Sequence, residues 1–273
     1  MILLTPFDLG LASLLVLAMA GITWRLRIKM ERQIFFAALR TTVQLLLLGL
    51  VLQFLFAGSN PIWIAGMTIV MLLAGGREII ARQQRKFKGW WNIGIGTGSL
   101  FISSFAVTVL ALTVIIKADP WYRPQYSIPL LGMLLGNTMN GISLGLDRLT
   151  QTTWQQRAII EQRLLLGETQ SQAILDIRRE SIRAGLIPIV NSMATAGVVS
   201  LPGMMTGQIL AGSPPFEAIK YQIFIMFLIA AGTGFGIVAA LWMASKRLFD
   251  GRHRLRLDHL LLKNTSNARS IKK

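Results

Sequence analysis

The amino-acid sequence predicts an all-α, polytopic membrane protein with about seven transmembrane helices, its N-terminus outside and its C-terminus in the cytoplasm. Three observations lead there. Of the 273 residues, 53% are hydrophobic and only 15% charged, more apolar surface than a soluble domain of this length hides in one core. Apolar runs close to the about 20 residues that a bilayer demands recur along the chain. The Lys and Arg residues gather in alternate connections between those runs.

The runs are 3–24, 34–56, 61–74, 93–116, 128–146, 186–210 and 221–243. The third is short and extends toward Ile80 if Gly75 and Gly76 stay helical. Ala18-Met19-Ala20 resembles a signal-peptidase site, yet no cation precedes the first run and Arg25, Arg27 and Lys29 follow it, so a retained span is expected. Trp63, Trp90, Trp91, Trp121, Tyr122 and Trp242 fall near run ends, where amphipathic rings favour the interface.

Orientation follows from the cations. One set of connections carries Arg25, Arg27, Lys29 and Arg32, then Arg77, Arg82, Arg85, Lys86 and Lys88, then Arg148, Arg157, Arg163, Arg178, Arg179 and Arg183, and last the tail. The opposite set holds only Lys117, Arg123 and Lys220. Cation-rich loops stay cytoplasmic, so the net charge of +16 is a topology signal and not a nucleic-acid footprint. This gives a transmembrane domain over 1–245, with a cytoplasmic helical loop at 147–185, and a basic cytoplasmic tail over 246–273.

Within that loop, Ile159, Ile160, Leu164, Leu165 and Leu166 recur near helical spacing, while Glu161, Arg163, Asp176, Arg178, Arg179 and Glu180 occupy other faces. Gly167 predicts a helix end and a turn, so the loop reads as a helical hairpin. An amphipathic helix held between two spans suits either a soluble partner or the membrane surface.

The fifth and sixth runs are where the chain stops being merely apolar. Asn137, Thr138 and Asn140 lie in one; Asn191, Ser192, Thr195, Met204, Met205 and Gln208 lie in the other. Amides facing acyl chains are costly, so they predict either interhelical hydrogen bonds or a polar substrate path. Pro188 and Pro202 remove backbone donors and predict a kink or gate in the sixth run. Met193, Met204, Met205 and Met226 offer thioethers to a soft metal, although methionine in an apolar helix more often packs. Gly94, Gly96 and Gly98, with Gly232, Gly234 and Gly236, predict close helix packing, since no strand and no Lys-Ser/Thr pair completes a phosphate loop.

Several chemistries are absent from the pattern. There is no cysteine, and both histidines, His253 and His259, lie in the tail. No catalytic constellation sits in the runs, and only Asp8 and Glu78 approach their ends, so neither an intramembrane enzyme nor a proton-coupled carrier is expected.

The segments Gly132-Met133-Leu134-Leu135-Gly136-Asn137-Thr138-Met139-Asn140, Arg183-Ala184-Gly185-Leu186-Ile187-Pro188 and Leu201-Pro202-Gly203-Met204-Met205-Thr206-Gly207-Gln208-Ile209-Leu210-Ala211-Gly212 resemble the FetB permease family. The resemblance runs from Arg40-Thr41-Thr42-Val43-Gln44-Leu45 to the seventh run. It implies the membrane subunit of an ATP-binding cassette transporter in the bacterial inner membrane, linked to iron export, with plant relatives associated with aluminium tolerance. It further implies a homodimer and a separate ATPase subunit that holds ATP and magnesium, with no cofactor on this chain. Glu161, Leu165 and Gly167 resemble the Glu-x-x-x-Leu-x-Gly core of a coupling element, which with Arg163 makes 147–185 the expected docking site. An ion-gradient carrier and a permease for an organic substrate are the alternatives.

Overall fold

The computed structural model describes residues 5–58 and 60–262. The ends of the expected first span and of the basic tail, 3–4 and 263–273, lie outside the described residues. The chain divides into two units, Met1–Asn60 and Pro61–Lys273.

The first unit is a pair of helices, α1 (Pro6–Arg25) and α2 (Glu31–Ala57), packed on each other across a short connection. Thr5 starts α1 with a capping box, its hydroxyl accepting from the Asp8 amide while the Asp8 carboxylate accepts from the Thr5 amide at 2.8 Å. Helix α1 is apolar around its circumference, α2 is mainly apolar with Arg40, Thr41, Thr42 and Gln44 inside it, and almost every side chain of both is exposed. Such a surface is stable against acyl chains and not against water.

The second unit is a bundle built on two long helices. Its elements are α3 (Pro61–Arg82), strand β1 (Arg85–Phe87), α4 (Trp90–Leu110) with a π-helical end (Ala111–Ile115), α5 (Pro124–Gln155), α6 (Arg157–Leu165), α7 (Gln170–Ala173), α8 (Leu175–Thr195), α9 (Gly203–Leu210), α10 (Pro215–Arg247) and strand β2 (Leu260–Leu262). The 32 residues of α5 and 33 of α10 lie side by side, and α3, α4 and α8 pack around them.

Glycine lets three of these helices meet at backbone distance. A methyl group added at Gly185 of α8 would lie 2.7 Å from the carbonyl oxygen of Gly141 in α5, and one at Gly141 would lie 2.7 Å from Ile237 of α10. Gly232 and Gly236 of α10 likewise face Leu134, Thr138 and Ser103, and Gly96 faces Ile79; Gly94 and Gly98 meet nothing close. The expected packing role thus belongs to part of each glycine cluster. Below this seam, toward the basic ends of the helices, Leu146, Leu149, Ile160, Ile174 and Leu241 are fully buried together.

Five described helices are long and apolar enough to cross a membrane: residues 7–25, 31–56, 61–82, 93–115 and 215–247. The third therefore runs to Arg82, past the 74 expected. Helix α5 spans about 48 Å at about 1.5 Å per residue, ample for a crossing, with its amides lowering its apolar character. The sixth run, 186–210, departs most from expectation. It is no single helix: α8 ends at Thr195, a turn covers 196–202, and α9 adds eight residues. Gly197, at φ +83°, makes the turn, and the amides of Val199 and Ser200 return to the Thr195 carbonyl at 3.0 and 3.1 Å. Pro202 caps α9, so it marks the break as expected, whereas Pro188 sits inside α8 without ending it.

The tail starts as structure. Helix α10 runs through Arg247, Leu248 and Phe249 are buried, and β2 pairs antiparallel with β1, Phe87 opposite Leu260. The Asp250 carboxylate accepts from the Arg254 and Arg252 amides and from Arg254 Nε; the Arg254 amide does most to hold its pKa below the ordinary value. Asp258 is held far below the usual carboxylate range, chiefly by its paired hydrogen bonds from Arg256 at 2.8 and 2.9 Å.

Candidate functional site

Two regions of the second unit carry chemistry. The first surrounds α9. On one side lies a cavity of about 490 Å³ lined by Met193, Pro202, Met205, Gln222, Met226 and Phe227, among others. On the other lies one of about 320 Å³, whose walls include Gln125, Tyr126, Met133, Met204, Gln208 and Tyr221. Adjacent methionines on a helix point about 100° apart, so Met204 and Met205 serve different cavities. Ligand sites are typically apolar hollows of about 300–1,000 Å³ with a few polar groups, and both cavities fit that description.

Each cavity has one buried amide without a partner: Oε1 of Gln222 in the larger and Oε1 of Gln208 in the smaller have no hydrogen bond among the described residues. Gln222 is 8% exposed. An unpaired buried acceptor is costly, by about 1–3 kcal/mol, so a ligand that supplies a positive group gains there.

The other expected path residues do not converge on these cavities. Asn137 is exposed and its amide donates to its own helix, to Met133 O at 2.9 Å. Asn140 accepts from Arg82 at 2.6 Å, an α3–α5 fastening of the ordinary interhelical kind. Thr138 lies on a different face, fully buried against Gly236 of α10. Asn191, Ser192 and Thr195 are exposed on the last turns of α8, where the Thr195 hydroxyl donates to Asn191 O. Gln222 and Gln125 were missed by the sequence reading. Gln222 is an isolated amide in an apolar run, the same signal that singles out Asn137.

The second region is a braced helical arm, α6 to the start of α8. Helix α6 ends in a Schellman turn: the Glu168 amide donates to Arg163 O and the Gly167 amide to Leu164 O, both at 3.1 Å, with Gly167 at φ +92°. Thr169 then caps α7 with Gln172 in a reciprocal box. Arg163 ties the limbs together, 3.1 Å from Asp176 and 3.7 Å from Glu168, and donates to Ala173 O. Ile160, Ile174 and Ile177 anchor the arm in the core, and Arg148 of α5 pairs with Glu180 of α8. At its tip, Leu165 and Leu166 are 87% and 85% exposed, and Glu161 is exposed with no ion pair among the described residues. Among the described residues no group of three His, Cys, Asp or Glu side chains forms a metal cage.

Comparison with known proteins agrees with this architecture. A profile described as "Uncharacterised protein family (UPF0014)" matches residues 6–249. The UPF0014 membrane protein slr1647 of Synechocystis is 38% identical over 253 residues, covering 91% of this chain and 95% of the relative. The probable iron export permease protein FetB of Escherichia coli is 34% identical over 260 residues, with 92% and 95% covered. Protein ALUMINUM SENSITIVE 3 of Arabidopsis thaliana is 29% identical over 245 residues, with 89% and 88% covered. No solved structure matches. The chain belongs to the UPF0014 family of multi-pass, helical membrane proteins.

Proposed function

We propose that this chain is the permease subunit of an ATP-binding cassette exporter in a bacterial inner membrane, working as a homodimer with two copies of a separate ATPase. ATP and magnesium are held by the ATPase, and the permease converts its motion. The reading is carried by the arm: two leucines more than four-fifths exposed stand at the end of a helical hairpin that Arg163 and three buried isoleucines keep rigid. Exposed leucines on a braced, non-spanning element suit burial in a partner's groove, with Glu161 free to set register.

A push on the arm is transmitted directly, because α8 runs unbroken from Leu175 in the arm to Thr195 beside the larger cavity. The turn at 196–202 then lets α9 move while α10 stays packed. Export of iron is the activity that FetB, the Escherichia coli relative, carries in its name, and it supports a metal cargo here.

The double substitution Leu165→Asp/Leu166→Asp tests the reading. The permease should fold and migrate unchanged, since both side chains lie in solvent, yet it should no longer copurify with the ATPase. Unaltered ATPase binding and transport in reconstituted vesicles would refute the docking role.

A further inference from the structure

We propose that Met193, Met205 and Met226 form a thioether site for a soft monovalent cation, of the class of Cu(I) and its analogue Ag(I). As a statement about cargo this rests on the permease reading; as a statement about binding it stands alone.

The three sulfurs come from three segments: the last turns of α8, the first turn of α9 and the first half of α10. All three line the larger cavity. Methionines used as packing material sit against aliphatic cores, as Met71, Met139, Met243, Met133 and Met204 do here. Met193, Met205 and Met226 belong to neither core cluster. Met205 is buried and Met193 is 38% exposed, and the three share the wall of one cavity and not the interior of a helix seam.

Ligand chemistry supplies it. The cavity wall carries no carboxylate, imidazole or thiol, and the chain contains no cysteine, so thioether is its sole sulfur donor. Neutral thioethers bind soft ions and bind Fe(III), Al(III) or Mg(II) poorly, because hard ions keep their water or take anionic oxygen. A singly charged ion also loses far less hydration on entering an apolar cavity than a multivalent one. Three unbranched side chains, each with three rotatable bonds, can adjust their sulfurs to an ion in the cavity. The unpaired carbonyl of Gln222, nine-tenths buried in the same wall, is available as a further oxygen donor.

The position suits transport. Gly197 hinges the turn between Met193 and Met205, so movement of α8 changes the distance between two of the three sulfurs.

The test uses the full-length permease purified in detergent without its ATPase, titrated with Ag(I) by equilibrium dialysis and elemental analysis. One Ag(I) per chain is expected, with sulfur in its coordination shell by X-ray absorption. The triple variant Met193→Leu/Met205→Leu/Met226→Leu conserves volume and should bind more weakly by about a hundredfold or more, above the effect of losing an outer-shell partner. If that variant misfolds, Met193→Leu alone serves, because Met193 is the most exposed of the three and the least needed for packing, and its loss should weaken Ag(I) measurably. No binding by the wild type, equal binding by the folded variants, or tighter binding of Fe(II) than of Ag(I) would each overturn the proposal. Since no ATPase takes part, failure here leaves the docking reading intact, and failure of docking leaves this site intact.

Discussion

The two halves of the larger unit are built on opposite principles. In the half nearer the basic ends, α5, α8 and α10 approach until the carbonyl of Gly141 is within contact distance of Gly185, and fully buried leucines and isoleucines fill what remains. Around α9, by contrast, the chain turns back on itself, leaves a cavity on each side of a short helix, and keeps two buried glutamine oxygens without a partner among the described residues. Close packing resists deformation and transmits displacement, whereas sparse packing makes local rearrangement easy. On the proposed function, the tightly packed half is the lever and the looser half is where a cargo would be held.

Glycine substitutions should break that contrast most visibly. Gly185→Leu forces a side chain against the Gly141 backbone, which has no flexible end to yield, so the helices must part. The expected cost is about 3 kcal/mol, a large share of the about 5–15 kcal/mol that holds a domain together. A Cβ added at the exposed Gly207 in α9 meets nothing within 4 Å, so Gly207→Leu should be tolerated. Thermal unfolding of the purified variants measures both, and equal midpoints for the two would remove the basis for calling one half rigid.

Much of this was legible from residues alone, for physical reasons. A bilayer demands long apolar runs, and five of those read from the sequence are single helices of that kind. The arm was legible because Gly167 follows a run of leucines and isoleucines at helical spacing, and it does form the turn. The interruption of the sixth run was placed less well. Proline signals a missing donor at both Pro188 and Pro202, but α8 absorbs Pro188, and the chain actually turns at Gly197. The folded start of the tail left no local trace, because β2 is three residues long and pairs with a strand far away in sequence. Gln222 went unnoticed because a single amide among Tyr221, Ile223 and Phe224 is outweighed by its neighbours.

Gln222 offers a sharper probe of the looser half. If its carbonyl is unpaired in the resting protein, Gln222→Leu removes a buried acceptor that nothing satisfies and should raise stability by about 1 kcal/mol. The same change should lower transport in reconstituted vesicles, because the oxygen is then missing from the cavity wall. A gain in stability with a loss of function marks a site kept strained for use. The idea is falsified if Gln222→Leu destabilises the protein, which would mean that the amide is a structural partner.

The smallest effect belongs to the tail, a part of the rigid half whose turns are held by charges at the surface. Arg256 and the amide of Arg254 hold Asp258 and Asp250 below their ordinary values, so both carboxylates favour the folded tail when ionised. The sign follows: this support is complete above the usual carboxylate range of about 4 and is lost as pH falls through the lower folded values. Hydrogen exchange of the segment 248–262, corrected for intrinsic rates, should therefore stay constant from neutral pH down to about pH 4 and quicken only below it. Because the pairs lie at the surface, the β1–β2 pairing and the buried Leu248 and Phe249 should retain most of the protection even then. Asp258→Asn should reproduce the acid effect at neutral pH. Were that variant's tail to detach entirely, surface charge and not the buried leucine and phenylalanine would be holding it, and the tail would no longer count with the rigid half.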